Sequence, residues 1–467
     1  MAPPAFKGAA VHALRSLASL ALAALGSAIV AGRPATTAFV NVNVIPMDRE
    51  RVLEQQTVVV EGETITRVGP AATTAIPTDA ARVEAGGKYL IPGLAEMHAH
   101  VPGGQASEED VERVLYLYVA NGVTTARGML GHPRHLPLRD RLARAEVRGP
   151  TLYTSGPSLN GTSVPTPEAA VKSVKEQEAA GYDFLKIHPG VRRDVFDALA
   201  ATADRVGIRF AGHVPLDVGL SRALEARYAT IDHIDGFVEA LVREGAPVKP
   251  TDSQFFGVNL IDHVDEARIP ALVRATREAG TWIVPTQSLL EHVVGDDAPE
   301  AMATWPEMKY VRPEQLAQWI ESKTKSFASG QMTTDARRRY LALRRRLIAA
   351  LHAGGAGLLL GADAPQMWNV PGFATHRELR CMVASGLTPY QALETGTRNV
   401  AIFFGTLERT GTIEAGKRAD LVLLDANPLA SIDNASRQAG VMVRGRWMPR
   451  SEIDAGLETV SRQVQTQ

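Results

Sequence analysis

Tyr89-Leu90-Ile91-Pro92-Gly93-Leu94-Ala95-Glu96-Met97-His98-Ala99-His100 is the stretch on which the fold turns. An apolar run of this kind reads as a buried strand, and it stops at two histidines one residue apart. Alternate side chains of a strand share a face, so His98 and His100 point one way and Ala99 the other. Two imidazoles so placed can hold one transition metal through their ring nitrogens. The spacing alone carries little weight. It gains weight because further candidate ligands follow, each at the end of its own apolar segment.

Downstream, short apolar strands alternate with helical patterns such as Pro167–Ala180, Arg193–Val206 and Leu220–Arg227. Strands are expected at Leu90–Met97, Val123–Arg127, Thr151–Ser155, Phe184–Ile187, Arg209–His213, Thr230–Ile234, Trp282–Pro285 and Gly357–Ala362. That succession is the count of an α/β fold of the (β/α)8 TIM-barrel type, in which the C-terminal strand ends form the active site. The notable polar residues fall at those ends. His98 and His100 follow the first strand, and Lys186 lies on the fourth with His188 beyond it. His213 ends the fifth strand, His233 the sixth, and Asp363 follows the eighth. Arg127, at the end of the second, is placed either to meet a substrate carboxylate or to form a salt bridge with a neighbouring loop. His188 reads equally as substrate-facing or structural. His376 reads as the start of a helix packing on the barrel.

The flanks have another texture. Phe39–Ile45, Thr57–Val68 (with a hairpin), Gly411–Gly416, Asp420–Asp425 and Val441–Arg446 read as strands. A small composite β-sandwich from both termini, residues 37–90 plus 406–457, is therefore expected, with residues 91–405 inserted as the α/β domain. About seventy residues separate the seventh and eighth strands, far more than a normal connection. This segment is read as a helical cap around 287–355, carrying Trp305, Tyr310, Trp319, Phe327 and Tyr340. Some of these aromatics are expected at a substrate cleft and most in helix packing. The basic runs Arg337–Arg339 and Arg344–Arg346 read as a solvated or interface face.

Lys7, His12 and Arg15 precede the apolar stretch Leu17–Val30 and small-residue cleavage positions, so residues 1–31 read as a signal peptide. The mature chain is then expected in the periplasm or outside the cell, with no stable membrane insertion after signal removal. Of 467 residues, 45% are hydrophobic and 22% charged, with a net charge of −1. That balance argues against nucleic-acid partners. The lone Cys381 excludes a disulfide framework and CxxC-type sites, so any metal must be held by nitrogen and oxygen.

Ile91-Pro92-Gly93-Leu94, Asn121-Gly122-Val123-Thr124-Thr125, Gly212-His213-Val214-Pro215, Ile231-Asp232-His233, Gly361-Ala362-Asp363, Gly386-Leu387-Thr388-Pro389 and the run Gly411–Leu421 together carry a family likeness. The sequence resembles the amidohydrolase superfamily of metal-dependent hydrolases, and within it the imidazolonepropionase-related and Xaa-Pro-dipeptidase-like branch. The resemblance implies that His98, His100 and Asp363 hold one divalent ion and that His213 and His233 hold a second. It also implies that Lys186, captured by carbon dioxide as a carbamate, bridges the two. Desolvation of a strand lysine lowers its pKa and makes the neutral amine accessible for that chemistry. Zinc is the expected metal, with manganese or cobalt as alternatives.

The expected function follows from the same resemblance. It is hydrolysis of an amide or peptide-like C–N bond in a small molecule by a metal-bridging hydroxide, with Asp363 as general base and then acid. Alternatives are a mononuclear deaminase or cyclic-imidate hydrolase, an ester, lactone or organophosphate hydrolase, and a non-catalytic binding protein. Bland readings remain for the individual residues: an ion-paired or snorkelling Lys186, structural His213 and His233, a helix-capping Asp363. The family resemblance is compatible with a homo-oligomer.

Overall fold

The structure, a computed structural model, describes residues 36–328 and 333–465; the expected signal segment 1–31 lies outside the described residues. The N-terminal part supplies β1 (Thr36–Val44), β2 (Leu53–Glu61), β3 (Thr64–Pro70), β4 (Ala81–Glu84) and β5 (Tyr89–Pro92). The middle supplies β6 (Leu94–Ala99), β7 (Val123–Gly128), β8 (Thr151–Thr154), β9 (Phe184–Ile187), β10 (Arg209–Gly212), β11 (Thr230–Asp232) and β12 (Trp282–Val284). β13 (Leu421–Leu424), β14 (Gln438–Val443) and β15 (Arg446–Pro449) return at the far end.

Both ends of the chain pair into one eight-stranded sheet in the order β15-β14-β13-β5-β1-β2-β3, with β4 also on β1. Strands from both ends of the described chain thus share one sheet, and the anticipated sandwich is not shown. β5 is the join: it lies parallel to β1 and antiparallel to β13, with Leu90 opposite Leu423 and Pro92 opposite Leu421. Residues 411–416 do not form the expected strand. Gly411 and Gly416 take left-handed backbone angles (φ 86° and 92°). The segment instead offers single hydrogen bonds, Ile413 N–H to Pro46 O and Gly416 N–H to Ile65 O. The helix Arg450–Gln465, not anticipated, follows β15.

One residue, Gly93, separates β5 from β6, where the middle region begins. β6, β7 and β8 pair in parallel, as do β9, β10, β11 and β12. Single parallel bridges continue the series: Ser155 to Phe184, Ile283 to Leu358, and Ala99 to Ala364. The expected strand at 357–362 is thus present only as isolated bridges and hydrogen bonds, such as Met97 N–H to Leu360 O at 2.8 Å. Helices alternate with the strands. Thr166 caps Pro167–Ala179 through its side chain, and Arg193–Val206 stops at left-handed Gly207.

Period-two alternation in these strands sorts side chains between layers. In β9, Phe184 packs with Ala95, Met97, Val284 and Leu359, while Leu185 and Ile187 join the larger cluster that holds the helices. Lys186 therefore shares the face of Phe184, one layer nearer the C-terminal strand ends. The described residues of 287–355 include the helices Gln287–Val294, Pro299–Met302, Pro313–Ala328 and Thr334–Ala353. Its aromatics mainly pack: Trp319 lies 5.8 Å from Trp368, Tyr310 stacks on Phe373, and Arg337 sits over Phe327. His376 is buried in the helix Phe373–Ala384.

The β14–β15 hairpin turns through Arg444 and Gly445, both left-handed (φ 47° and 75°), the pattern of a two-residue hairpin. A Cβ on Gly445 would stand 1.8 Å from Gly62 O in the β2–β3 turn, whereas one on Gly87 (φ 77°) would meet nothing within 4 Å. Gly87→Ala should therefore cost about 1 kcal/mol of backbone strain. Gly445→Ala should cost clearly more, seen as a larger drop in Tm; equal drops would refute the contact.

Candidate functional site

The site is built from strand ends. His98 is 1% exposed and Lys186 0%, and His233 and Asp363 are buried as well. Lys186 therefore does not snorkel. Its Nζ lies 3.3 Å from His98 Nε2 and 4.0 Å from Asp232 Oδ2, and burial lowers its pKa against the pull of Asp232 and Asp363. Space for this side chain is left by Gly212 at φ 123°: a Cβ there would stand 2.9 Å from Lys186 Cδ and 2.5 Å from Ile187 O.

The histidines gather in one chain of rings, with centroids 5.4 Å apart for His98–His100 and 4.6 Å for both His98–His233 and His213–His233. His188 extends it, 5.0 Å from His213, with its Nδ1 hydrogen-bonded to the Ser158 hydroxyl. Burial first, then the charge of Lys186, pushes His100 and His188 down to about 3; His98, His213 and His233 are also held well below the usual value, burial again leading. The rings are therefore neutral at ordinary pH, the form in which imidazole binds a cation.

Asp363 enters from the segment that runs beside β6, with a left-handed backbone (φ 62°). Its Oδ1 is 3.1 Å from His100 Nε2 and 3.8 Å from His98 Nε2, and its Oδ2 is 3.8 Å from His233 Nδ1. Burial pushes this carboxyl up to about 7. His100 Nε2 and Asp363 Oδ1 are both buried and hydrogen-bond to nothing. Facing orphans of this kind are what a cation satisfies, so the donor set fits a divalent metal. Among the described residues His98, His233 and Asp363 form a trio whose ligand atoms lie within 4.8 Å of one another.

Of the two readings of Arg127, a substrate contact and a salt bridge, the structure has a salt bridge, made to Asp232 of β11. The Arg127 side chain is fully buried, donating to Met97 O (2.7 Å), Thr230 Oγ1 (2.9 Å) and Asp232 Oδ1 (3.1 Å). Its guanidinium is committed inside the fold, because Asp232 is buried beside it and leaves that charge no other counter-ion. Burial opposes ionisation of Asp232, but Arg127, Lys186 and His233 outweigh it and hold its pKa low. Asp232 in turn stands 2.9 Å from His98 Nδ1, a carboxylate behind a ligand histidine.

Sequence reasoning missed that residue and several others. Asp235 Oδ2 is 2.6 Å from His213 Nδ1, and Thr286 Oγ1 is 2.8 Å from His233 Nδ1. Glu96, buried and pushed up to about 8 by that burial, accepts from His98 N–H, Ala362 N–H and the Thr375 hydroxyl. It thereby ties the segment carrying His98 to the one carrying Asp363. Arg344, read as part of a solvated face, is 1% exposed and donates to His233 O, Pro285 O and Gln287 Oε1. Phe256 lies 5.4 Å from the His233 ring. The Asp232-His233 and Asp235 neighbours were the available signal: carboxylates within two residues of a candidate ligand.

Residues 89–448 match the sequence profile of the amidohydrolase family. The chain belongs to that family. Adenine deaminase of Nitratidesulfovibrio vulgaris is 31% identical over 33% of this chain, and the match spans only 28% of that protein's length. Imidazolonepropionase of Micrococcus luteus is 26% identical, with 85% of this chain and 94% of that protein aligned. Among solved structures, a Xaa-Pro dipeptidase with methionine in its active site superimposes with a TM-score of 0.64 at 19% identity, covering 89% of this chain and all of that one (100%). At 19% identity the likeness to the dipeptidase shows a shared fold.

Two outcomes follow. Asp232→Asn strands a buried guanidinium and should cost about 3–5 kcal/mol, measured as a shift of the denaturant midpoint. In the metal-free protein Asp363 is protonated below about 7 while the imidazoles are already neutral. A cation must displace that proton, so Zn2+ affinity should climb between pH 5 and 7, by up to about tenfold per unit, and flatten above. Competition titrations with a chelator measure this slope, which Asp363→Asn should largely remove.

Proposed function

We propose that this chain is a binuclear metal-dependent hydrolase of amide or peptide-like C–N bonds, its parallel strands closing as a (β/α)8 barrel capped by the helices of 287–355. The observation that carries the proposal is the clustering of His98, His100, Lys186, His213, His233 and Asp363, four of them buried, at the ends of several strands. In this reading His98, His100 and Asp363 would hold one cation, His213 and His233 would hold the other, and Lys186, as a carbamate, would supply an oxygen ligand to the pair. Two such ions, zinc by the nitrogen and oxygen donor set, would polarise the scissile carbonyl and acidify a water.

The chain's own residues do the rest. Burial lowers the Lys186 pKa, which favours the free amine that adds to carbon dioxide with loss of a proton. Asp232 and Asp235 stand against Nδ1 of His98 and His213 and fix those rings. Asp363, a buried carboxyl 3.1 Å from His100 Nε2, would take a proton from the attacking water and pass it to the leaving amine. Phe256 covers His213 and His233 and limits water there. Export directed by residues 1–31 belongs to the same proposal.

The compact trio His98, His233 and Asp363 favours a second reading, a mononuclear centre of the deaminase or cyclic-imidate type. Metal analysis separates the two. The binuclear enzyme should carry two ions per chain and lose at least about 10³-fold in kcat/KM on N-acyl amino acids or dipeptides in Lys186→Ala. One ion per chain, with Lys186→Ala still active, would establish the mononuclear alternative.

A further inference from the structure

Resting on the hydrolase reading, we propose that the substrate carries an uncharged apolar arm on one side of its scissile bond. This arm lies in a cleft running from His213 outward between the helices Gly219–Glu225 and Ile269–Ala279. Two cavities make the cleft. The inner one, about 440 Å³, reaches His213 and Asp235 and is walled by Phe255 and Phe256. The outer one, about 740 Å³, lies against Leu220, Leu224, Leu272 and Ala279. They share Val214, Leu216, Gly236 and Glu239, so the two lie side by side. Each is of the size that takes a small-molecule fragment.

The lining selects the chemistry. Leu216 is 45% exposed and Phe255 49%, two of the four large apolar side chains left in solvent among the described residues, and both border this cleft. No lysine or arginine lines the inner cavity. Its carboxylates are Asp217, exposed to solvent, Asp235, taken by His213, and Glu239, which accepts from the Ser253 hydroxyl and is driven toward neutrality by burial. Arg227 and Arg268 at the outer cavity are exposed to solvent. In the inner cavity an anionic arm would meet carboxylates and lose its hydration without a counter-ion. An alkyl or aryl arm would bury against leucine and phenylalanine. The wall is held in place: Phe255 and Phe256 have left-handed backbones (φ 24° and 56°), and the Tyr340 hydroxyl donates to Phe256 O.

The test uses the zinc-loaded full chain on the N-acetyl, N-octanoyl and N-succinyl amides of one amine, and on acetamides of ethylamine and octylamine. On one side of the bond the octyl arm should raise kcat/KM at least about 100-fold over the short chain, since each buried methylene is worth roughly threefold to fourfold. The succinyl arm should bring no such gain. Leu216→Asp and Phe255→Ser should each lower the octyl-to-short ratio at least about tenfold. Equal rates for all arms, or ratios unmoved by Leu216→Asp, overturn the proposal. Calorimetric binding of octanamide against succinamate decides the cleft without turnover. Tighter octanamide binding, weakened by Leu216→Asp, upholds it even if no amide is hydrolysed, in which case only the hydrolase reading fails. Octanamide bound no better than succinamate overturns the cleft and leaves hydrolysis standing. A wild-type dimer that Leu216→Asp dissociates with its ratio unmoved gives the groove to a second copy and also overturns it.

Discussion

Asp232, gripped by Arg127 at zero exposure, is the constraint around which the centre of this molecule is arranged. Neither charge is tolerable alone at that depth, and the pair is held by more than Coulomb attraction. Arg127 also bonds Met97 O and Thr230, and Thr230 donates to Asp232 at 2.7 Å, so β6, β7 and β11 meet at one polar knot. His98 and Lys186 sit on its upper side, within 2.9 and 4.0 Å of Asp232. The geometry of the candidate metal centre is therefore set from below, by groups no substrate touches.

Much of this was legible in the sequence, for a physical reason. Buried parallel strands must be short and apolar, and a polar residue at such an end is conspicuous. Phe184–Ile187 and Arg193–Val206 have the bounds expected of them, and the ligand candidates fall together in space. What stayed hidden was burial that depends on a remote partner. Arg127 and Arg344 look like surface cations until Asp232 and the carbonyls of His233 and Pro285 are brought to them by the fold. Thr286, 53 residues from His233, gives no local sign of its role. Residues 411–416 read as a strand by composition, but their terminal glycines take angles that no ladder accommodates.

Backbone strain concentrates at the same strand ends. His233, Ile234, Thr286 and Asp363 all have left-handed φ (63°, 58°, 46° and 62°), which costs a non-glycine residue on the order of 1 kcal/mol or more. Each position is over-determined by its surroundings: Arg344 on His233 O, the carboxylate of Glu378 on the N–H groups of Gln287 and Ser288, Glu96 on Ala362 N–H. Stability is spent there to aim side chains at one point.

The single-residue join at Gly93 has a consequence for how the chain comes to be folded. β5, on one side of it, needs both β1 and β13 as neighbours, and β13 begins at Leu421. At a synthesis rate of roughly 5–20 residues per second, β5 waits tens of seconds with one edge unpaired. Such an edge is a template for other chains. Proline at its end, Pro92, and an onward run straight into β6 leave little of it to offer. The strand that will carry the histidines is thus tied to an edge that must wait for the end of the chain.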